Sequence, residues 1–273
     1  MELAQQVQRS IIKKYRKDIW NRFIGGLKDY RMIEAGDCIA VCLSGGKDSA
    51  LLAICLQELQ RHGSDVPFEL EFLVMDPGYR PEIRRQIEDN LRALEISAHF
   101  FDSPIFSVVE KLAGSPCYLC ARMRRGYLYK FAKELGCNKI ALGHHFDDVV
   151  ETILMSMLYG AEMRTMMPKL HSRNYPGMEL IRPLYLVPEK AIEAWTRYNG
   201  LHFCRCACAV TDSASPENAS KRAEIKDLLA QLRKTNPQID INIFRSAENV
   251  NLETILGYHK GESVTTFLDE YNK

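Results

Sequence analysis

Cys38-Ile39-Ala40-Val41-Cys42-Leu43-Ser44-Gly45-Gly46-Lys47-Asp48-Ser49 is the stretch on which the reading of this chain turns. An apolar run ends at a serine and two glycines, and a second apolar run starts at Ala50. A buried strand that stops at glycines and restarts as a helix leaves several backbone N–H groups aimed at one point, with the positive end of the helix dipole behind them. Such a loop receives an anion. Gly45 and Gly46 are expected to supply positive φ and close approach, Lys47 a charge, and Ser44 and Ser49 hydroxyls. Asp48 is the odd member, because a carboxylate repels phosphates unless a divalent cation lies between them. Mg²⁺ with a nucleotide is therefore the expected ligand. The plainer alternative is a glycine turn closed by a Ser/Asp helix cap.

Outward from that loop, strand and helix signals alternate. Asp37–Leu43 reads as the first strand and Asp48 to about Arg61 as the helix after the loop. Phe68–Met75 is a second apolar run ending at the turn Asp76-Pro77-Gly78, and Pro81, at the favoured first helical position, opens a helix to about Glu95. Ser97–Phe101 predicts a third strand, Pro104–Leu112 a helix broken at Gly114-Ser115-Pro116, and Cys120–Leu135 a long helix stopped by Gly136. Lys139–Leu142 is a fourth strand, ended by Gly143-His144-His145, and Asp147 and Asp148 begin a helix to Tyr159. Gly160–Gly177 is looser and is expected to cover the site. Met178–Leu184 predicts a fifth strand, Pro188–Asn199 a helix capped by Gly200, and Pro216–Lys234 an amphipathic helix before a helical tail.

Strands separated by helices at this spacing make βαβ units and a parallel sheet. The loops at Ser44 and Gly143 then both lie at carboxyl ends of strands, where open α/β sheets bind ligands beside the reversal of strand order. They should face each other across one nucleotide site. Asp147 and Asp148 would hold Mg²⁺ or cap their helix; His144 and His145 would line the site or serve as core groups bonded to backbone.

With 273 residues, the chain suits one large α/β domain or a domain with a small appendage. Its 46% apolar and 26% charged residues are those of a globular protein and argue against disorder. No apolar signal core opens the chain, and no stretch approaches the roughly 20 apolar residues of a membrane span, so a cytoplasmic protein without a membrane partner is expected. The net charge of +1 is uninformative, but its distribution is not. From Arg9 to Arg31, eight cations face only Asp18 and Asp29, and Arg122, Arg124, Arg125 and Lys130 form a second basic group. Such surfaces fit a polyanion, or else a solvated helix face.

Nine cysteines in a reducing compartment point to metal or sulfur chemistry where they cluster. Cys38, Cys42, Cys55 and Cys137 stand singly and read as small core residues. Cys117-Tyr118-Leu119-Cys120 instead places two thiols at a helix start, where the dipole and Arg122, Arg124 and Arg125 lower thiolate pKa. Cys204-Arg205-Cys206-Ala207-Cys208 is not a CxxC and does not complete an ordinary zinc ribbon. Two ligands from the first group and one from the second would leave one coordination position open on a metal or an Fe–S cluster. A structural zinc with four cysteines is the competing account.

The Ser44–Ser49 loop is not a Walker A motif, whose spacing is G-x-x-x-x-G-K-[ST]. It resembles the PP-loop, SGGxDS, of ATP pyrophosphatases that cleave between the α and β phosphates. With VCLSGGKDS (Val41–Ser49), CYLCARMRRGYLYKFAKELG (Cys117–Gly136), KIALGHHFDD (Lys139–Asp148) and LIRPL (Leu180–Leu184) together, the chain resembles the tRNA 2-thiocytidine synthetase family (TtcA). The resemblance runs from the N-terminal helix to about Cys208. It implies the parallel-sheet adenine nucleotide α-hydrolase-like fold of PP-loop ATPases, and ATP-dependent thiolation of a tRNA anticodon-loop cytidine at C2. Ser44, Gly45, Gly46, Lys47, Asp48, Ser49 and Gly143 would bind ATP and Mg²⁺, with Lys47, Asp48, Asp147 and Asp148 in the catalytic set. A [4Fe–4S] cluster would be held by Cys117, Cys120 and Cys208, with Cys206 nearly as good a match for the third ligand. Sulfur would come from a cysteine desulfurase or another sulfide donor, and relatives of this kind are often homodimers. The chain departs from the family in its CxCxC spacing and at Phe146, where relatives often carry a polar or basic residue.

The expected division is a basic N-terminal helical segment (1–36), a PP-loop ATP pyrophosphatase domain with the Fe–S cysteines (37–210) and a helical C-terminal tail (211–273). Two other functions compete. An amidating or lysidine-forming PP-loop enzyme explains Ser44–Ser49 but leaves the clustered cysteines idle. A zinc-stabilised RNA-binding module makes the glycine loop a mere cap.

Overall fold

Residues 38–43 do form a strand, buried from Ile39 onward, as the centre of a parallel sheet requires. The computed structural model describes residues 2–105, 116–203, 216–269 and 271. Along the chain lie α1 (Leu3–Ile12), a π-helical turn (Arg16–Trp20), α2 (Asn21–Asp29), β1 (Cys38–Leu43), α3 (Lys47–His62), β2 (Glu69–Asp76), α4 (Pro81–Ala93) and β3 (His99–Asp102). Then come α5 (Pro116–Glu134), β4 (Lys139–Ala141), α6 (Phe146–Gly160), β5 (Lys169–His171), β6 (Glu179–Ile181), α7 (Glu189–Tyr198), α8 (Pro216–Thr235), α9 (Ile239–Ser246), β7 (Gly257–Lys260) and β8 (Ser263–Thr266).

The main sheet has the order β3-β2-β1-β4-β6-β5, parallel except for the antiparallel β5–β6 pair. The chain runs from β1 outward to β2 and β3, then returns to place β4 on the other side of β1. The reversal of strand order therefore falls between β1 and β4, and a crevice opens beyond their carboxyl ends. At the opposite end, Lys139 is buried between Asp37 at 2.8 Å and Glu179 at 3.2 Å and donates to the Met32 carbonyl at 3.0 Å. That cluster ties together the starts of β1, β4 and β6.

Several expectations need correction. The N-terminal helical segment (1–36) is not one unbroken helix, and its break does not fall at Gly25–Gly26. It changes course around Lys13–Tyr15, and α2 runs through both glycines, with Gly26 facing Pro183 and Leu186. Nor is it a separate appendage, because Val7, Ile11, Ile19, Phe23 and Met32 are fully buried in the main core. The looser region contains β5, an edge strand. Past α9 the tail adds a β7–β8 hairpin that the sequence reading lacked. The helices of the tail join the core through Ile225, Leu229 and Phe244. Cys38 and Cys137 do not stand singly: their Sγ atoms lie 3.1 Å apart. The predicted helix from Pro104 to Leu112, its break at Gly114-Ser115-Pro116 as far as Ser115, and the Cys204–Cys208 group lie outside the described residues.

Candidate active site

Gly45 is the one loop glycine that needs positive φ, at 78°; Gly46 is extended (φ −92°, ψ 165°), contrary to the expectation for both. A Cβ on Gly45 would stand 2.6 Å from Ile87 Cγ1, so the turn also presses against α4. The serines shape the loop from within. The Ser44 N–H donates to Ser49 Oγ at 3.1 Å, the two hydroxyls are 3.2 Å apart, and Ser49 Oγ donates to the Gly46 carbonyl at 3.0 Å. Helix α3 begins at Lys47, so its free N–H groups open at the loop.

The second loop meets the first, as expected. A Cβ on Gly143 would lie 3.0 Å from Ser49 N and 3.1 Å from the Asp48 carbonyl carbon, so only glycine fits without displacing backbone. Beyond that contact lies a cavity of about 600 Å³ whose wall includes Ser44, Asp48, Ser49, Gly143, His144 and Asp148. Arg124 and Arg125 of α5, Arg182 after β6 and Arg222 of α8 line it too. The second basic group thus puts Arg124 and Arg125 in the cavity wall. A second cavity, about 510 Å³, opens on the Gly46–Lys47 side of Asp48, beside Arg197 and His202. A groove of about 620 Å³ at the far end, lined by Trp20, Leu27 and Val66, carries no motif residue.

The charged groups are placed by helix ends. Lys47 Nζ lies 3.0 Å from Asp48 Oδ1 and donates to Glu189 Oε1 at 3.0 Å. Burial opposes the Lys47 ammonium, but Asp48 and Glu189 outweigh it and raise its pKa. Asp48 Oδ1 is buried and has Lys47 Nζ as its near cation, so this carboxylate oxygen is already held against positive charge. Asp148 works as a cap: its Oδ2 accepts from the His145 N–H at 3.0 Å, while its own N–H donates to His145 Nδ1 at 3.4 Å. It also borders the cavity. Asp147 does not; it accepts from the Glu189 N–H at 2.7 Å and pairs with Arg233 at 2.7 Å. Of the two roles the sequence allowed these acids, holding Mg²⁺ or capping the helix, Asp148 takes the cap, while Asp147 turns to Glu189 and Arg233.

His144 stands in the cavity wall with Nδ1 buried and unpartnered among the described residues. Burial, helped by Arg182, lowers its pKa to about 4, so it is neutral at pH 7. Burial likewise lowers Arg182 to about 10 and raises the Cys42 thiol to about 12. Arg182 is legible only as part of LIRPL, and Glu189, Arg222 and Lys226 not at all, since each is one charge among several along a helix. Cys117 and Cys120 fall in the first two turns of α5, earlier in the helix than expected.

Sheet order, the paired loops and the cavity between them define a PP-loop α/β protein, and a PP-loop domain family matches residues 20–232. The chain is 36% identical over 245 residues to the tRNA-cytidine(32) 2-sulfurtransferase of Geotalea uraniireducens, covering 87% of this chain and 93% of that one. It is 39% identical over 228 residues to the protein of that name from Methylobacillus flagellatus, covering 81% and 72%. It belongs to the tRNA-cytidine(32) 2-sulfurtransferase family. In fold it is similar to the U34-tRNA thiolase NcsA from Methanococcus maripaludis, a structure with a [4Fe–4S] cluster, at a TM-score of 0.66 and 22% identity over 89% of this chain and 84% of that one. Among the described residues no helix is long and apolar enough to cross a membrane.

Proposed function

We propose that this protein adenylates the C2 carbonyl of an anticodon-loop cytidine in tRNA with ATP and then replaces the oxygen by sulfur. The observation that carries the reading is the course of α5. The helix begins with Cys117 and Cys120, and its Arg124, Arg125 and Leu128 line the cavity under the Ser44 loop. Cys120 and Arg124 are one turn apart, a rise of about 6 Å. A nucleotide site and a pair of thiols thus share one helix.

Ser44–Ser49 and Gly143 receive the phosphates, and Lys47 exchanges Glu189 for a phosphate oxygen. Asp48, whose buried Oδ1 Lys47 then gives up, holds Mg²⁺. The arginines of the wall neutralise the nucleotide and the approaching tRNA backbone, and neutral His144 adds no charge. The carbonyl oxygen attacks the α-phosphorus, pyrophosphate leaves, and AMP becomes the leaving group for sulfur. Cys117 and Cys120, at the start of α5, would hold two positions of a [4Fe–4S] cluster, with Cys208 or Cys206 as the third ligand. When bound, that cluster supplies one exchangeable coordination position for a sulfur ligand. A cysteine desulfurase or another donor provides the sulfide.

The test is anaerobic incubation of the cluster-loaded protein with ATP, sulfide and tRNA, followed by mass spectrometry of the nucleosides. An oxygen-to-sulfur exchange in cytidine is expected, and its loss in Cys117→Ser. A loaded protein that leaves every nucleoside unthiolated overturns the reading. Activity surviving Cys117→Ser points instead to an adenylating enzyme with another nucleophile.

A further inference from the structure

We propose that Arg222, on the helix after the second cysteine segment, is a catalytic residue of the adenylation step whose guanidinium meets the α-phosphate of ATP, with Lys226 as a positioning residue beside it. This inference rests on the reading of the cavity as an adenylation site. It adds to it a cation that comes from the tail rather than from either loop.

The placement follows from the amphipathic pattern of α8. Ile225 and Leu229 are buried in the core, and the same seating turns Arg222, Lys226 and Arg233 toward the acids of α6 and α7. Of these three, Arg222 lines the cavity, together with Ser44, Asp48, Ser49 and Gly143. Its Nε is 3.3 Å from Glu151 Oε2 and its Nη1 is 3.8 Å from Asp148 Oδ1. A guanidinium is a planar fork of five donors, suited to phosphate oxygens.

Glu151 explains why the cations sit there. Its side chain is only 3% exposed, and its Oε2 faces Arg222 Nε without a well-aligned hydrogen bond. Burial raises its pKa, while Lys226 and Arg222 work against that rise. A buried carboxylate satisfied in this way is costly for stability compared with an apolar side chain. What it does accomplish is to hold two tail cations at the nucleotide cavity. Lys226 lies 3.6 Å from Glu151 and 3.5 Å from Glu189, the carboxylate that also holds Lys47. Charge therefore alternates through Arg222, Glu151, Lys226, Glu189, Lys47 and Asp48. When phosphate draws Lys47 away, Lys226 keeps Glu189 compensated.

In the step itself, an O–Pα bond forms, the Pα–O bond to the β-phosphate breaks, and pyrophosphate departs with the electron pair. Negative charge gathers on the non-bridging oxygens of the α-phosphate. A fixed guanidinium from a separate element stabilises that charge more than the ground state.

Pyrophosphate release by the full-length protein with ATP and tRNA tests this without any sulfur chemistry. Arg222→Gln should lower kcat by about a hundredfold or more, with ATP binding changed by less than about threefold. Arg222→Lys should recover part of the rate. Glu151→Gln combined with Arg222→Gln removes the orphaned carboxylate and should stay folded and slow. Lys226→Gln should slow release and Lys226→Arg restore it, whereas Lys221→Gln, on the exposed face over Tyr159, should change nothing. A folded Arg222→Gln protein within about threefold of the wild-type rate overturns the proposal. Arg222-dependent pyrophosphate release with no thiolated tRNA sinks the sulfur reading and leaves this one standing. Wild-type protein that releases no pyrophosphate overturns both.

Discussion

Gly143 leaves no space for a side chain, and that makes it a sharper probe of the site than any charged residue. Its neighbours are backbone atoms of Asp48 and Ser49, which cannot swing aside as a rotamer would. Gly143→Ala is expected to weaken ATP binding by at least about tenfold and to cost about 1–3 kcal/mol in urea unfolding, the ordinary cost of overpacking. Gly45→Ala should be worse, since φ is +78° and Ile87 is already in the way. His144 gives a pH signature. Its folded pKa, about 4, lies below the ordinary 6.5 because of burial and Arg182, with Arg222 and His145 adding to the effect and Asp148 opposing it. A depressed histidine pKa means that the unfolded chain binds the proton better. Stability from this group is therefore full above pH 6.5 and is lost as the pH falls toward 4. Across that window wild-type stability should drop more steeply than that of His144→Gln; parallel curves from chemical denaturation would contradict the assignment.

Helix and strand ends do the positioning, and each end has its own device. At α6 the His145–Asp148 capping box fixes the start of the helix and so places His144, the residue before the cap. At α7, Asp147 accepts the Glu189 N–H and so orients the carboxylate that holds Lys47. At the other end of the sheet, Lys139 joins Asp37 and Glu179, each poorly exposed. Burial opposes the Lys139 charge, yet the bonds to Asp37 and then Glu179 raise its pKa. Lys139→Met should cost about 3–5 kcal/mol in urea unfolding, because it strands two buried carboxylates. Adding Asp37→Asn should recover part of that loss. A single variant as stable as wild type would show that water reaches the cluster.

The tail belongs to the body of the molecule as far as α9 and not beyond. Ile225, Leu229 and Phe244 are buried in the main core, while Leu256, Val264 and Leu268 around the hairpin are exposed. Removing residues 250–273 should leave the melting temperature within a few degrees of the full chain. Removing 216–273 should give insoluble protein, since it uncovers core and strips Glu151 of both cations. Much of this architecture was legible in the residues. Apolar runs, helical spacing, Pro and Gly punctuation, and the two glycine loops located the parallel sheet, the crevice and its Ser44–Ser49 and Gly143 walls, because those features depend on local backbone chemistry. The CxxC helix and the KIALGHHFDD segment likewise announced themselves by short-range spacing. Tertiary structure decided what depends on distant pairs: that Arg182 and Arg222 reach the cavity, that Lys226 meets Glu151 and Glu189, that Asp147 turns away, and that Lys139 finds Asp37 and Glu179. Nothing in a single cation along a helix states which buried acid it will meet. Only the packing that seats Ile225 and Leu229 in the core brings those charges together.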